Sequence, residues 1–235
     1  MYGLPRQTPE HLEETLALAV GFGADRIALF GYAHVPHLIP RQRQIDASGL
    51  PDQAERFAMA ELGYKVLTEA GYVPVGFDHF ARPGDPLAEA ARGGRLHRNF
   101  QGFTDDAASV LIGLGASAIS SFPRLLVQNE KNAGRYRMLL SQEVLPASHG
   151  VARFADDRYR GAVIEALLCQ GRSPVGSQLL GEALPRLKPF IAAGLCEITG
   201  NALTIPPEGL PYARSIAAQF DPYRQHSPRR FSSAV

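Results

Sequence analysis

Arg26-Ile27-Ala28-Leu29-Phe30-Gly31-Tyr32-Ala33-His34 is the stretch whose reading decides the fold. Its apolar run follows Gly21-Phe22-Gly23 and ends in a glycine and polar residues, the pattern of a short buried strand carrying functional groups at its C-terminal end. Upstream, Thr8-Pro9-Glu10 supplies a hydroxyl N-cap, a proline at the first helical position and an acid in the first turn. That spacing predicts a helix with Leu12, Leu16, Ala19 and Val20 on one face. Downstream, Pro51-Asp52 opens a second helix with Phe57, Leu62, Val66 and Leu67 inward, ended by Gly71. A strand over Tyr72 to Phe77 then leads into Asp78-His79-Phe80, and a third run, Val110 to Ala116, leads into Ser117-Ala118-Ile119-Ser120. Helix alternating with strand predicts a parallel α/β layer, with Tyr32 to His34, Asp78 to Phe80 and Ser117 to Ser120 on one rim. Three parallel strands leave edges and faces uncovered, so we expect the back part of a larger α/β domain.

The composition narrows the class. The chain has 235 residues, 45% hydrophobic and 20% charged, with a net charge of +1, two cysteines and no tryptophan. Those figures argue against a strongly basic nucleic-acid binder, an acidic disordered tail and a disulfide-stapled module. No window holds the roughly 18 apolar residues of a membrane span, and the N-terminus lacks a leader pattern, so a cytoplasmic location is expected. Cys169 and Cys196 sit in apolar settings and read as small buried hydrophobes.

Residues 1–127 carry 11 basic and 14 acidic side chains, and residues 128–235 carry 13 and 9, so the net charge passes from −3 to +4. We therefore expect an α/β unit over 1–127, a mostly helical unit over 128–221 and a loosely ordered tail over 222–235. The second unit has a helix from Asp156-Asp157, another over Leu184 to Ala193, a hairpin turning at Gly200-Asn201 and a last helix over Pro211 to Phe220. This order is winged-helix-like. Its small excess of positive charge, with no basic-aromatic stripe, disfavours DNA binding, and Arg224, Arg229 and Arg230 read as a solvated charge run.

Four groups of residues are candidates for chemistry. His34 and His37 are three apart, but Pro36 between them argues against a helix presenting both to one metal. Asp78-His79 has the composition of an acid-oriented imidazole, although neighbours in a strand point to opposite faces. His97-Arg98-Asn99-Phe100-Gln101-Gly102-Phe103 is the densest polar and aromatic cluster, and such loops bind ligands. Gly113-Leu114-Gly115 is too short for a phosphate fingerprint and reads as tight packing.

Tyr2 to Pro9, Tyr32-Ala33-His34, Asp78 to Pro83 and His97 to Phe103, in this order, resemble the C-terminal part of the oxygen-independent coproporphyrinogen III oxidases, a radical S-adenosylmethionine (SAM) family of haem biosynthesis. The related haem chaperones carry a Tyr-Trp pattern where this chain, which lacks tryptophan, has the His97 to Phe103 stretch. The resemblance implies that 1–127 is the C-terminal part of a (β/α) barrel holding a [4Fe–4S] cluster and SAM, with a helical domain after it. It implies oxidative decarboxylation of two propionates of coproporphyrinogen III to vinyl groups, giving protoporphyrinogen IX. Carried over residue by residue, Ala33, Ile119, Phe30, Phe100 and Gln101 would lie at SAM, and Arg82 and Arg98 would meet propionates through charge-assisted hydrogen bonds. The family's Cys-x3-Cys-x2-Cys cluster ligands are absent here. We thus expect the chain alone to hold no cluster and to be inactive, and Met1 to be an internal methionine of a longer frame or the gene to be truncated; supply of the missing N-terminal half in trans is left open. A haem or porphyrin carrier on the same half-fold and a winged-helix nucleic-acid binder are the alternatives.

Overall fold

Thr8 accepts the backbone N–H of His11, and the His11 ring returns a bond to the Thr8 N–H, starting α1 over Pro9–Gly21 as its cap residues predict. The computed structural model describes residues 1–225. After α1 come β1 (Arg26–Ala28), α2 (Gln53–Glu69), β2 (Val73–Val75), β3 (His79–Ala81), α3 (Pro86–Arg92), β4 (His97–Arg98) and β5 (Phe103–Thr104). Asp52 and Glu55 form a reciprocal capping box at the start of α2, whose buried face is Met59, Gly63 and Leu67. β6 (Ile119–Phe122), β7 (Leu125–Asn129), α4 (Ala133–Ser141) and β8 (Ala147–Ala152) follow. The chain then builds α5 (Ala155–Gln170), β9 (Arg172–Pro174), α6 (Ser177–Ala192), β10 (Glu197–Thr199), β11 (Ala202–Thr204), α7 (Ala213–Ala217) and α8 (Pro222–Gln225). Among the described residues no helix is long and apolar enough to cross a membrane.

The expected parallel layer is not what forms. β3 lies between β1 and β2 and pairs antiparallel with both, Ala28 and Val75 each facing His79. Only Gly76-Phe77-Asp78 separates β2 from β3, whereas a parallel connection needs a dozen or more residues, so this segment must be a hairpin. Gly76, at φ +63°, makes that turn in the left-handed region. The shared rim survives in part. Because β1 and β2 both oppose β3, they run the same way, and Leu29-Phe30 emerges beside Phe77-Asp78, the Leu29 N–H donating to the Asp78 carbonyl at 2.8 Å. Tyr2 extends the rim through a parallel bridge to Gly31.

The predicted third strand is also corrected. Val110 to Ala116 is an extended loop touching the sheet through one bridge, Leu111 to Ser121. Ile112 and Leu114 on it are 69% and 86% exposed, so its apolar pattern is not core. Buried Asn129 straps the loop, donating to the carbonyls of Gly113 and Gly115 at 3.0 Å. Ile119 therefore begins a strand instead of following one. The charge divide at 127/128 falls inside β7, and the antiparallel sheet β6-β7-β8 occupies the chain to Ala152, so the mostly helical part starts only at α5.

From α5 onward the expected order is present with shifted bounds. α6 starts at Ser177, seven residues before the predicted Leu184, and runs through Pro185 and Pro189. The last predicted helix is a single α-turn, α7, between the 3-10 turns Pro207–Tyr212 and Ala218–Phe220. β10 and β11 pair across Gly200-Asn201 as predicted, and β9 adds a third strand against β11. Leu167, Val175, Leu187, Leu203, Ile216 and Phe220 make the core of this part. Of the expected tail, α8 is helical and 226–235, with Arg229 and Arg230, lie outside the described residues.

Asp85 ties β1 to α3. Its carboxylate caps the Leu87 N–H at 2.7 Å and accepts the Arg26 guanidinium Nε at 2.8 Å. The Arg26 hydrogen bond, with the Leu87 bond adding to it, holds this carboxyl below its ordinary value of 3.8. A depressed folded-state value means the stabilisation is present above 3.8 and is lost as the pH falls through the lower folded value. Asp85→Asn keeps the cap, so it is expected to cost about 0.5–1 kcal/mol at neutral pH. The variant's stability should fall less steeply than that of the parent on acidification below pH 4, measured by urea unfolding; parallel acid limbs would remove the pair from the account.

Candidate active site at the β1–β2 rim

The rim borders a cavity of about 520 Å³. Leu29, Phe30, Phe57, Tyr64, Phe77 and Phe80 make its apolar wall, and Pro207, Pro211 and Arg214 close it from the C-terminal part, where Phe57 stacks on Tyr212 at 5.5 Å. Asp78 is the polar group on the turn. Its Oδ1 lies 2.6 Å from His79 Nδ1, both side chains being largely buried, so the acid and imidazole do meet. This is possible because Asp78 still belongs to the turn while His79 starts the strand, which frees the pair from strand alternation.

The His79 ring is fixed by two edge-to-face contacts, to Phe30 at 5.6 Å and to Phe103 at 5.2 Å. On Phe103 sits the Arg98 guanidinium, 4.6 Å from the ring centre and 5.1 Å from that of Phe77. Burial pulls Arg98 below its ordinary value, with Asp78 opposing, and its Nη1 is buried with no partner among the described residues. Arg214 lies 5.6 Å from the Phe77 ring. Burial raises the Tyr2 phenol, while the charge of Arg56 holds it down. Arg98 thus feels the charge of Asp78, a carboxylate already bonded to a histidine, and Tyr2 feels those of Arg56, Asp78 and Arg214; Glu61 and Glu208 lie at the exposed mouth.

A smaller cleft of about 240 Å³ lies at the tip of the β4–β5 hairpin, lined by Asn99, Phe100, Gln101, Leu111, Ser117, Ala118 and Ile119. The Asn99 side chain accepts the N–H groups of Gln101 and Gly102 at 2.8 and 3.3 Å, and the Asn99 backbone N–H donates to the Gly102 carbonyl. This rigid turn leaves Phe100 59% exposed. Glu165 of α5 anchors the hairpin base through the Arg98 N–H at 3.1 Å and His97 Nδ1 at 3.2 Å.

Of the residues predicted for SAM, Phe100, Gln101 and Ile119 share this cleft, and Phe30 lines the rim cavity. Ala33 lines neither; its carbonyl accepts the Gln42 amide at 2.9 Å in the following loop. Arg98 is at the site. Arg82 is not, because β3 runs away from the rim and leaves Arg82 exposed at its far end, bonded to the Ala24 carbonyl at 3.3 Å. His34 Nδ1 meets the Tyr32 hydroxyl at 3.2 Å, and His37 is exposed. Tyr2, Arg56 and Arg214 were invisible as site residues, since no local pattern marks side chains that distant elements bring together.

No group of three potential metal ligands occurs among the described residues. Cys169 and Cys196 lie in different core clusters, and burial pushes the Cys169 thiol up to about 12 and raises Cys196. Protonated and apart, in different core clusters, they do not fit an iron–sulfur cluster, which needs several thiolates converging on one point. Both thiols are expected to resist alkylation in the native chain and to react in denaturant; native labelling within minutes would contradict this burial.

Comparison with known proteins assigns the relationship. The chain is 39% identical over 231 residues to the oxygen-independent coproporphyrinogen III oxidase of Paracoccus denitrificans, covering 95% of this chain and 51% of that protein. It is 42% identical over 232 residues to the enzyme of the same name from Cereibacter sphaeroides, with the same coverages. The chain is similar to these oxidases. A solved structure, the Escherichia coli coproporphyrinogen III oxidase, described as a radical SAM enzyme, matches with a TM-score of 0.87 at 34% identity, over 94% of this chain and 54% of that one. No family model matches. The chain spans about half the length of the curated relatives it matches.

Proposed function

We propose that this chain is the C-terminal portion of an oxygen-independent coproporphyrinogen III oxidase, the part that binds and orients substrate and SAM for decarboxylation of two propionates. The observation that carries the reading is the convergence of Phe100, Gln101 and Ile119 on one cleft, from two segments of the chain. An exposed aromatic face, an amide and an aliphatic wall suit an adenosine-bearing ligand, the ring stacking on Phe100 and the amide marking its edge. Arg98, set on two aromatic rings with a free donor, suits a propionate. On this reading the β1-β3-β2 layer is a piece of a larger barrel, and α5 to β11 is a winged-helix-like module that closes the rim.

The thiols of this chain do not fit the cluster, so its part is confined to binding, orienting and excluding water. The chain alone is inactive on this reading, and the remaining half of the enzyme, cluster included, completes it in the same polypeptide or in trans. Anaerobic reconstitution with iron and sulfide should leave the 235-residue chain without a stoichiometric [4Fe–4S] absorption band.

Calorimetric titration with SAM and fluorescence titration with coproporphyrin III, the stable oxidised form of the substrate, test the binding roles. Phe100→Ala is expected to weaken SAM about tenfold, the value of one aromatic stacking contact, and to leave coproporphyrin unchanged. Equal SAM affinity in both chains would remove the cleft from the SAM site.

A further inference from the structure

His79 lines neither of the two spaces but contacts a residue beside each. Its ring touches Phe30, which lines the rim cavity, and Phe103, which ends the hairpin carrying Phe100 and Gln101. Asp78 holds Nδ1, and the two rings hold the plane, so Nε2 has a set direction. That nitrogen has no partner among the described residues, although the side chain is only 16% exposed. In front of it stands Gly102, at φ +145°, where a Cβ would come within 3.2 Å of Nε2. The glycine keeps open the one edge of the imidazole that the protein leaves unused.

We propose that His79 is a ligand-binding residue whose Nε2–H donates to a carboxylate entering over Gly102. With Asp78 at Nδ1, a second carboxylate at Nε2 gives each ring nitrogen its own acceptor. Arg98, on the same Phe103 ring, offsets the added negative charge. Two ligands of the proposed function carry such a group, the tetrapyrrole through its propionates and SAM through its amino-acid end, and the inference rests on that reading for the ligand class.

The test follows the histidine nitrogens by NMR in chain labelled with 15N-histidine, with His79→Gln to assign its signals. Coproporphyrin III and SAM are added in separate titrations. One of them is expected to move the His79 Nε2 resonance, and that same ligand should bind about tenfold more weakly to His79→Gln and to Gly102→Ala, while the other ligand is unaffected. Movement by coproporphyrin assigns a propionate, and movement by SAM assigns the amino-acid carboxylate. Binding of either ligand with a static His79 signal in the unsubstituted chain overturns the role of His79 and leaves the proposed function standing. Failure of both ligands to bind overturns the proposed function and this inference with it. Should His79→Gln fail to fold, nuclear Overhauser contacts from the ring protons to Phe30 and Phe103 assign the His79 signals in the unsubstituted chain, and the resonance readout stands.

Discussion

Gly76→Ala is expected to destabilise the chain by about 2–4 kcal/mol, from two costs that add. At φ +63° an L-residue pays for the left-handed conformation, and a Cβ there would fall on the ring of Phe103, a buried residue with nowhere to retreat. Phe103 is in contact with Phe77 at 5.6 Å, with His79 at 5.2 Å and with the Arg98 guanidinium. Displacing it disturbs both sides of the candidate site, so the loss of stability should be accompanied by weaker binding of SAM and coproporphyrin. Gly71 supplies the control. It too has positive φ, +86°, but nothing lies within 4 Å of its Cβ position, so Gly71→Ala should cost only the strain, about 1 kcal/mol. Urea unfolding of the two variants measures the difference, and equal losses would show that Phe103 yields freely.

The contrast between legible and hidden features follows the range of the interactions that make them. Thr8 at α1, Asp52 at α2 and the Gly200-Asn201 turn are readable because each closes its hydrogen bonds within a few residues. The β2–β3 hairpin was missed because Gly76-Phe77-Asp78 looks like the polar end of one strand, and only pairing with β1 shows the reversal. Val110 to Ala116 misled because a short apolar run carries no information on which side is covered, and Asn129, far along the chain, holds it as a loop. α6 extends seven residues ahead of the expected Leu184 because its buried face, Leu179, Ala183 and Leu187, holds the helix across Pro185. At the site, the Asp78–His79 pair and the hairpin cluster were visible as chemistry. Their meeting through Phe103, and the addition of Tyr2, Arg56 and Arg214, depend on packing among five separate segments.

Phe220→Ala is expected to remove about 3–5 kcal/mol, the usual cost of emptying an aromatic site in a closed core. Phe220 has no exposed surface and sits with Leu167 of α5, Leu187 of α6 and Ile216 of α7. The surrounding turn is pinned, so it cannot collapse into the space: Arg186 donates to the Gln219 carbonyl at 2.8 Å, and the Tyr223 hydroxyl donates to Asp157 at 2.9 Å. Phe154, 72% exposed, is the matched control, and its truncation should change stability by less than about 0.5 kcal/mol. The midpoint of thermal unfolding should drop by on the order of 10 °C for Phe220→Ala. The consequence reaches the rim through Phe77, which packs against this core and against the cluster of Val75, Leu87 and Leu96, and which lies beneath both Arg98 and Arg214. Loosening the C-terminal core should therefore raise hydrogen exchange at the β2–β3 turn as well as in α5 to α7. Exchange confined to α5 to α7 would mean that the rim is held by its own hairpin alone and that the C-terminal part only covers it.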